Sequence, residues 1–262
     1  MRGIGGGMDG RVAVVTGAAQ GIGAAVVRVL LRHGVMVAAV DSDAARLSAL
    51  VTELAPGHKL EGHVVDVRDS RGCDELMDTV ERGLGPVDIL VNVAGVLRTG
   101  PVVEQRDEDW AAVFDVNVRG VLHCSRAAAR RMIGRRSGVI VTVSSNAARV
   151  PRANMAGYAS SKAAASMLTK CLGLELAGYG IRCNVVAPGS TDTEMQRSLW
   201  SGPQDRSAVI DGSPATYRVG VPLRRIAEPS DIADAVLFLV SDQARHVTMH
   251  ELCVDGGAAL GA

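Results

Sequence analysis

From residue 11 onward the chain alternates short, mostly continuous apolar runs with longer stretches in which apolar and polar residues mix. The apolar runs fall at 12–15, 35–40, 62–65, 87–91, 139–143, 181–187 and 251–254. Runs of this length without strict alternation suit strands covered on both faces, and the intervening stretches of ten or more residues suit crossover helices. The order predicts an α/β fold: one doubly wound domain over residues 9–262, with a seven-stranded parallel sheet and right-handed crossovers. Residues 190–221 break the rhythm, because Gly202, Pro203, Gly212, Ser213, Pro214 and Gly220 interrupt any regular pattern. They predict a mobile excursion of the kind that forms a lid. Residues 1–8, rich in glycine, read as a flexible leader.

Composition narrows the class. The length of 262 residues fits a single α/β domain, which commonly reaches roughly 250 residues. With 47% hydrophobic and 21% charged residues the chain can bury a large core. Lys plus Arg equals Asp plus Glu at 28 each, and aromatics are only 3%, which argues against a partner bound through net charge or base stacking. Nucleic acid and membrane are therefore not expected partners, and no apolar run suits a signal or a span. The five cysteines are scattered and odd in number, as expected of reduced thiols in a cytoplasmic protein. The histidines are dispersed too, without metal-ligand spacing, so no metal is expected.

Candidate chemistry gathers at three places. The first predicted strand runs into Thr16-Gly17-Ala18-Ala19-Gln20-Gly21-Ile22-Gly23, followed by a helical pattern. Glycines there permit a tight turn and close approach of a phosphate to a helix N-terminus, where N–H groups and the helix dipole favour an anion. Asp41 ends the second predicted strand, near the roughly twenty-residue offset at which an acid bonds an adenosine ribose. A carboxylate at that point repels a 2′-phosphate, and no Lys or Arg stands at 16–23 or follows Asp41 before Arg46. The cofactor expected is NAD. Third, Tyr158 and Lys162 stand at i and i+4 in a helical stretch, 155–176, so both face one side. An ammonium beside a phenol favours the phenolate, which predicts a lowered Tyr158 pKa and a proton-transfer role near neutrality.

Taken in order, the residues resemble the short-chain dehydrogenase/reductase family over nearly the whole of 9–262. The matching motifs are Thr-Gly-x-x-x-Gly-x-Gly at 16–23, Asp66-Val67, Asn92-Val93-Ala94-Gly95, Asn117-Val118, Ser144-Ser145, Tyr158-x-x-x-Lys162 and Pro188-Gly189. Val93 departs from the family's second asparagine. The resemblance implies a Rossmann sheet and a dinucleotide held by Gly17, Gly21, Ile22, Gly23 and Asp41. Asp66 and Val67 would lie at the adenine, and Asn92, Ala94 and Gly95 along the cofactor's middle. Tyr158 and Lys162 would lie at the nicotinamide ribose, and Pro188, Gly189, Thr191 and Thr193 at the carboxamide. It implies catalysis by Asn117, Ser145, Tyr158 and Lys162, the family's spacing from the tyrosine selecting Ser145 over Ser144. Asn117 would hold a proton-relaying water, and its other reading is a helix-kink residue. A homotetramer is implied as well.

Segments beyond the motifs, at 96–98, 146–152, 189–196, 198–200 and 226–262, resemble members that oxidise 2,3-dihydro-2,3-dihydroxybenzoate in catechol siderophore biosynthesis. Such a substrate, an aromatic-precursor acid, would become aromatic on losing hydride and proton, which favours the NAD-reducing direction. Arg98 and Arg152 are expected to meet its carboxylate, with Ser145 at its hydroxyl and Met195, Gln196 and Trp200 closing over its ring. The amino counterpart, trans-2,3-dihydro-3-hydroxyanthranilate of an antibiotic pathway, presents the same carboxylate and oxidisable hydroxyl and stays open as the alternative. Another NAD-dependent alcohol dehydrogenase and an inactive dinucleotide-binding module are the remaining readings.

Overall fold

The structure, a computed structural model, describes residues 7–262 except Ser201 and Pro203. Among the described residues seven strands form one sheet: β1 (Val12–Thr16), β2 (Met36–Asp41), β3 (Leu60–Val64), β4 (Val87–Asn92), β5 (Gly138–Val143), β6 (Ile181–Pro188) and β7 (Glu251–Val254). Their spatial order is β3-β2-β1-β4-β5-β6-β7, and every neighbouring pair is parallel. Each predicted apolar run became a strand. The edge strand β3 differs in character: it starts at Leu60, and Val64 is exposed, because only one neighbour and one helix layer cover it.

The helices joining the strands are α1 (Gly21–Arg32), α2 (Ala44–Leu54), α3 (Ser70–Gly83), α4 (Asp107–Phe114), α5 (Val121–Arg135), α6 (Ala156–Leu176), α7 (Glu194–Arg197), α8 (Gln204–Asp211) and α9 (Pro229–Val240). The π-helical stretch Asp115–Gly120 links α4 to α5. Period-two side-chain alternation feeds two cores, one on each face of the sheet. Ala13, Val15, Val37, Ala39, Ile89 and Val91 pack with Val26 and Leu30 of α1 and Val236 and Leu239 of α9. Val12, Val14, Ala38, Val40 and Leu90 pack on the other face with Met77 of α3, Met132 of α5 and Leu176 of α6.

Residues 1–6 of the expected leader lie outside the described residues. Met8, also assigned to it, is fully buried in the first of these cores and so packs with the domain. The excursion at 190–221 contains α7, α8 and a short hairpin closed by backbone hydrogen bonds in both directions between Ser213 and Arg218. The sheet order changes direction between β1 and β4, and a crevice opens there at the carboxyl ends of the strands.

Candidate active site

The cleft has a volume of about 600 Å³ and is lined from the β1–α1 turn through to the excursion. Its floor depends on backbone-to-backbone packing. A Cβ on Gly17, whose φ is +64°, would stand 2.6 Å from the amide nitrogen of Ala94, and one on Gly23 would stand 1.9 Å from the carbonyl oxygen of Gly17. Thr16 at the end of β1 reinforces this: its Oγ1 accepts from the N–H of Val93 at 3.1 Å and of Ala94 at 3.3 Å. The helix α1 then starts at Gly21 with no side-chain cap from Gln20 and no acid in its first turn. Its first N–H groups therefore face the cleft without a side-chain acceptor, which suits a phosphate.

Asp41 faces the same space, its carboxylate fixed by the N–H groups of Ala19 and Asp43, each at 3.0 Å. Arg46, the first cation after it, reaches Gln20 and pairs with Asp43 and, at 2.7 Å, with Glu194 of α7. Asp66 and Val67 line the adjoining wall. Arg68 hydrogen-bonds the Asp66 carboxyl and holds it below the ordinary range. Glycine turn, open helix end and anchored acid together fit a dinucleotide.

The catalytic end is built where β5 and α6 meet. The two serines after β5 separate cleanly. Ser144 donates to the carbonyl of Lys162 at 3.0 Å and accepts from Ser166 at 2.7 Å, tying strand to helix. Ser145 caps the turn Asn146–Ala148 and lies close enough to Tyr158 to lower the phenol's pKa in part. Lys162 is buried on the same face of α6, with Nζ 5.8 Å from the Tyr158 ring centroid and donating to the carbonyl of Val143 at 2.9 Å.

The electrostatics correct the sequence reading. Burial raises the Tyr158 pKa above its ordinary 10.0, only partly offset by Ser145, and burial lowers Lys162 to about 8. The ammonium lies towards the ring and a main-chain carbonyl, so desolvation outweighs the lowering expected from charge.

Asn117 sits fully buried in the π-helical stretch. Its amide exchanges hydrogen bonds with the N–H of Val96 at 2.9 Å and the carbonyl of Val96 at 3.0 Å, and it donates to Ser161 at 3.0 Å. Ser161 in turn donates to the carbonyl of Tyr158 at 2.7 Å. A methyl on Gly95 would stand 3.3 Å from both Asn117 Oδ1 and Lys162 Nζ, so these two groups flank one narrow gap.

Not every expected residue reaches the cleft. Asn92 turns into the core, donating to Ser125 at 3.0 Å and Thr142 at 3.4 Å, because its strand alternation points it away from the opening. Ile22, Ala94, Gly95, Pro188, Gly189, Thr191 and Thr193 do line it, as do Arg98, Arg152, Met195 and Gln196. Arg98 is pinned by Asp109 at 3.4 Å and by the carbonyl of Leu97, leaving its charge partnered. Trp200 is absent from the lining, and among the described residues its buried indole nitrogen has no hydrogen-bond partner.

A family profile described as short chain dehydrogenase matches residues 11–204. The chain belongs to the short-chain dehydrogenase family. Over 97% of its length it is 58% identical to a 2,3-dihydro-2,3-dihydroxybenzoate dehydrogenase of Bacillus subtilis, covering 98% of that protein. It is 43% identical over 94% of its length to a vibriobactin-specific 2,3-dihydro-2,3-dihydroxybenzoate dehydrogenase of Vibrio cholerae, covering 95% of that one. Among solved structures, a 7α-hydroxysteroid dehydrogenase complexed with NADH and 7-oxo glycochenodeoxycholic acid superposes with a TM-score of 0.89. Its identity is 33%, with 96% of this chain and 95% of the other covered. The chain is thus an oxidoreductase that uses a nicotinamide dinucleotide.

In this dehydrogenase the residues that sequence reasoning missed act mostly through the backbone. Thr16 opens the glycine motif, yet nothing in the motif shows that its hydroxyl holds the end of β4. Ser161 lies between Tyr158 and Lys162 in the sequence, and that position is its only signal. Arg218 also lines the cleft, far from any motif.

Proposed function

We propose that this dehydrogenase oxidises 2,3-dihydro-2,3-dihydroxybenzoate to 2,3-dihydroxybenzoate with NAD, serving catechol siderophore biosynthesis. The observation that carries the reading is 58% identity, over nearly the full length of both chains, to a relative of that name. The preference for NAD rests on Asp41, whose anchored carboxylate would accept from ribose hydroxyls and repel a 2′-phosphate. Arg46 is neutralised by two acids and offers no free countercharge.

The glycine turn and the open end of α1 would hold the pyrophosphate, Asp41 the adenosine ribose, and Lys162 the nicotinamide ribose. When bound, NAD supplies the hydride acceptor. Ser145 and Tyr158 would hold the substrate hydroxyl between them, which fixes the reacting carbon in orientation. Tyr158 takes the hydroxyl proton as general base, and the adjacent Lys162 charge stabilises the phenolate that must form. Asn117 locks α6 against the 96 loop, keeping Tyr158 and Lys162 in register. Loss of hydride and proton leaves a ketone that tautomerises to the aromatic acid, and aromatisation drives the reaction forward.

The same reading makes the enzyme a cytoplasmic homotetramer. It is supported by free cysteines throughout and by exposed apolar side chains on one helix layer, Trp110 of α4 and Met167 and Leu174 of α6. Among the described residues no helix is long and apolar enough to cross a membrane.

The test is reduced-cofactor formation by purified protein offered the dihydrodiol acid or its 3-hydroxyanthranilate-type amino counterpart, each with NAD and with NADP. Turnover of the dihydrodiol acid with NAD, and 2,3-dihydroxybenzoate identified by mass, is the expected result. Preference for the amino acid or for NADP would replace the corresponding part of the assignment.

A further inference from the structure

We propose that Arg218, carried by the hairpin of the excursion, joins Arg152 to form the site that binds the substrate's carboxylate. This deepens the reading above and rests on it for the identity of the substrate.

The hairpin is shaped to present this one side chain. Gly212 and Gly220 take φ of +85° and +79°, and a Cβ on Gly212 would stand 2.4 Å from the carbonyl oxygen of Arg218. Ser213 and Arg218 exchange backbone hydrogen bonds of 2.8 and 2.9 Å, which fix the main chain beside the guanidinium. The polarity is then inverted relative to an ordinary surface turn. Tyr217 is 94% exposed and Val219 53% exposed, while the cation between them is half-buried and lines the cleft.

An arginine folded inward needs a countercharge. Arg68 and Arg98, which also line the cleft, have theirs in Asp66 and Asp109. Among the described residues, Arg152 and Arg218 make no hydrogen bond or ion pair with an acid. Asp255 is the nearest source of negative charge for Arg152, but its carboxylate already accepts from Asn146 at 3.1 Å and from the N–H groups of Gly257 and Ala259. Burial lowers both guanidinium pKa values, and the charge of Arg152 adds to the effect on Arg218. Two cations facing one cleft without an acid between them are relieved by a bound anion. A planar carboxylate matches the fork of a guanidinium, so the site selects ring alcohols bearing an acid over neutral ones.

The experiment is calorimetric titration of protein loaded with NADH, using 2,3-dihydroxybenzoate and, as an uncharged probe, 2,3-dihydroxybenzamide. Arg218→Ala and Arg152→Ala should each weaken the acid about 10- to 100-fold while leaving the amide and NADH unchanged. Arg218→Lys should recover only part of the loss, because an ammonium cannot bond bidentately. Equal weakening of acid and amide, no weakening of either, or failure of the unsubstituted protein to bind the acid would overturn the proposal. Turnover of the dihydrodiol acid is followed in parallel. If the acid binds in an Arg218-dependent way but the diol is not oxidised, the assigned reaction falls while the carboxylate site stands.

Discussion

Tyr158 is held between opposing effects, and their balance sets the pH behaviour of the free enzyme. Burial keeps its pKa above 10.0 and brings Lys162 down to about 8. At pH 7 the resting state is thus a neutral phenol beside a charged ammonium, and oxidation requires the phenol to pass its proton on. Losing a proton becomes easier as pH rises, but Lys162 sheds its stabilising charge through about pH 8, so kcat/KM for oxidation should climb from pH 7 and level off above about pH 8, since that ratio reports free-enzyme ionisations. Tyr158→Phe should lower kcat by about 10²- to 10⁴-fold, with NAD affinity retained and the pH dependence abolished. A flat profile in the unsubstituted enzyme would contradict this account. The tyrosine, lysine and serine were legible in the sequence because their spacing reports one helical face and one strand end. Their ionisation was not, because desolvation depends on what three-dimensional packing puts around a group. Asn92 shows the same limit, its motif visible and its direction decided by strand alternation against Ser125 and Thr142.

At the level of elements, the turn from β1 into α1 is the most constrained part of the site. Gly23 has an ordinary helical backbone, so its glycine is required by space: a Cβ would overlap the carbonyl of Gly17. Gly23→Ala should therefore push the helix off the turn, costing about 1–3 kcal/mol of stability and weakening NAD binding at least tenfold, because the first N–H groups of α1 move with it. Urea unfolding and cofactor titration check both, and unaltered affinity would mean that the turn relaxes elsewhere. Strands were readable as apolar runs because both faces of the five interior ones are covered. The runs gave the edges of β3 less well, since an exposed edge strand carries a weaker apolar signal. The π-helical stretch around Asn117 left no trace in composition, for it adds one residue to a turn without changing the kinds of residue present.

Across the whole molecule, the site depends on separation of labour between a body with two buried cores and an excursion with little core of its own. The body was foreseeable: its seven runs, its glycine turn and its acid at the end of β2 are local patterns with local causes. The excursion was foreseeable only as an interruption. Which of its side chains turn inward follows from two positive-φ glycines and one pair of backbone hydrogen bonds, and these do not show in hydropathy. Trp200 was consequently expected at the substrate, and Arg218 was passed over.

The hairpin has one more consequence, for susceptibility to cleavage. Tyr217 combines near-complete exposure with a left-handed backbone at the tip of a glycine-flanked loop, the kind of place where proteases nick folded chains first. Brief treatment with chymotrypsin should cut after Tyr217 while the body stays intact, and mass spectrometry of the fragments would show whether another bond is cut first. The nicked protein should keep its hold on NADH and lose its discrimination between acid and amide, and saturating 2,3-dihydroxybenzoate should slow the cut.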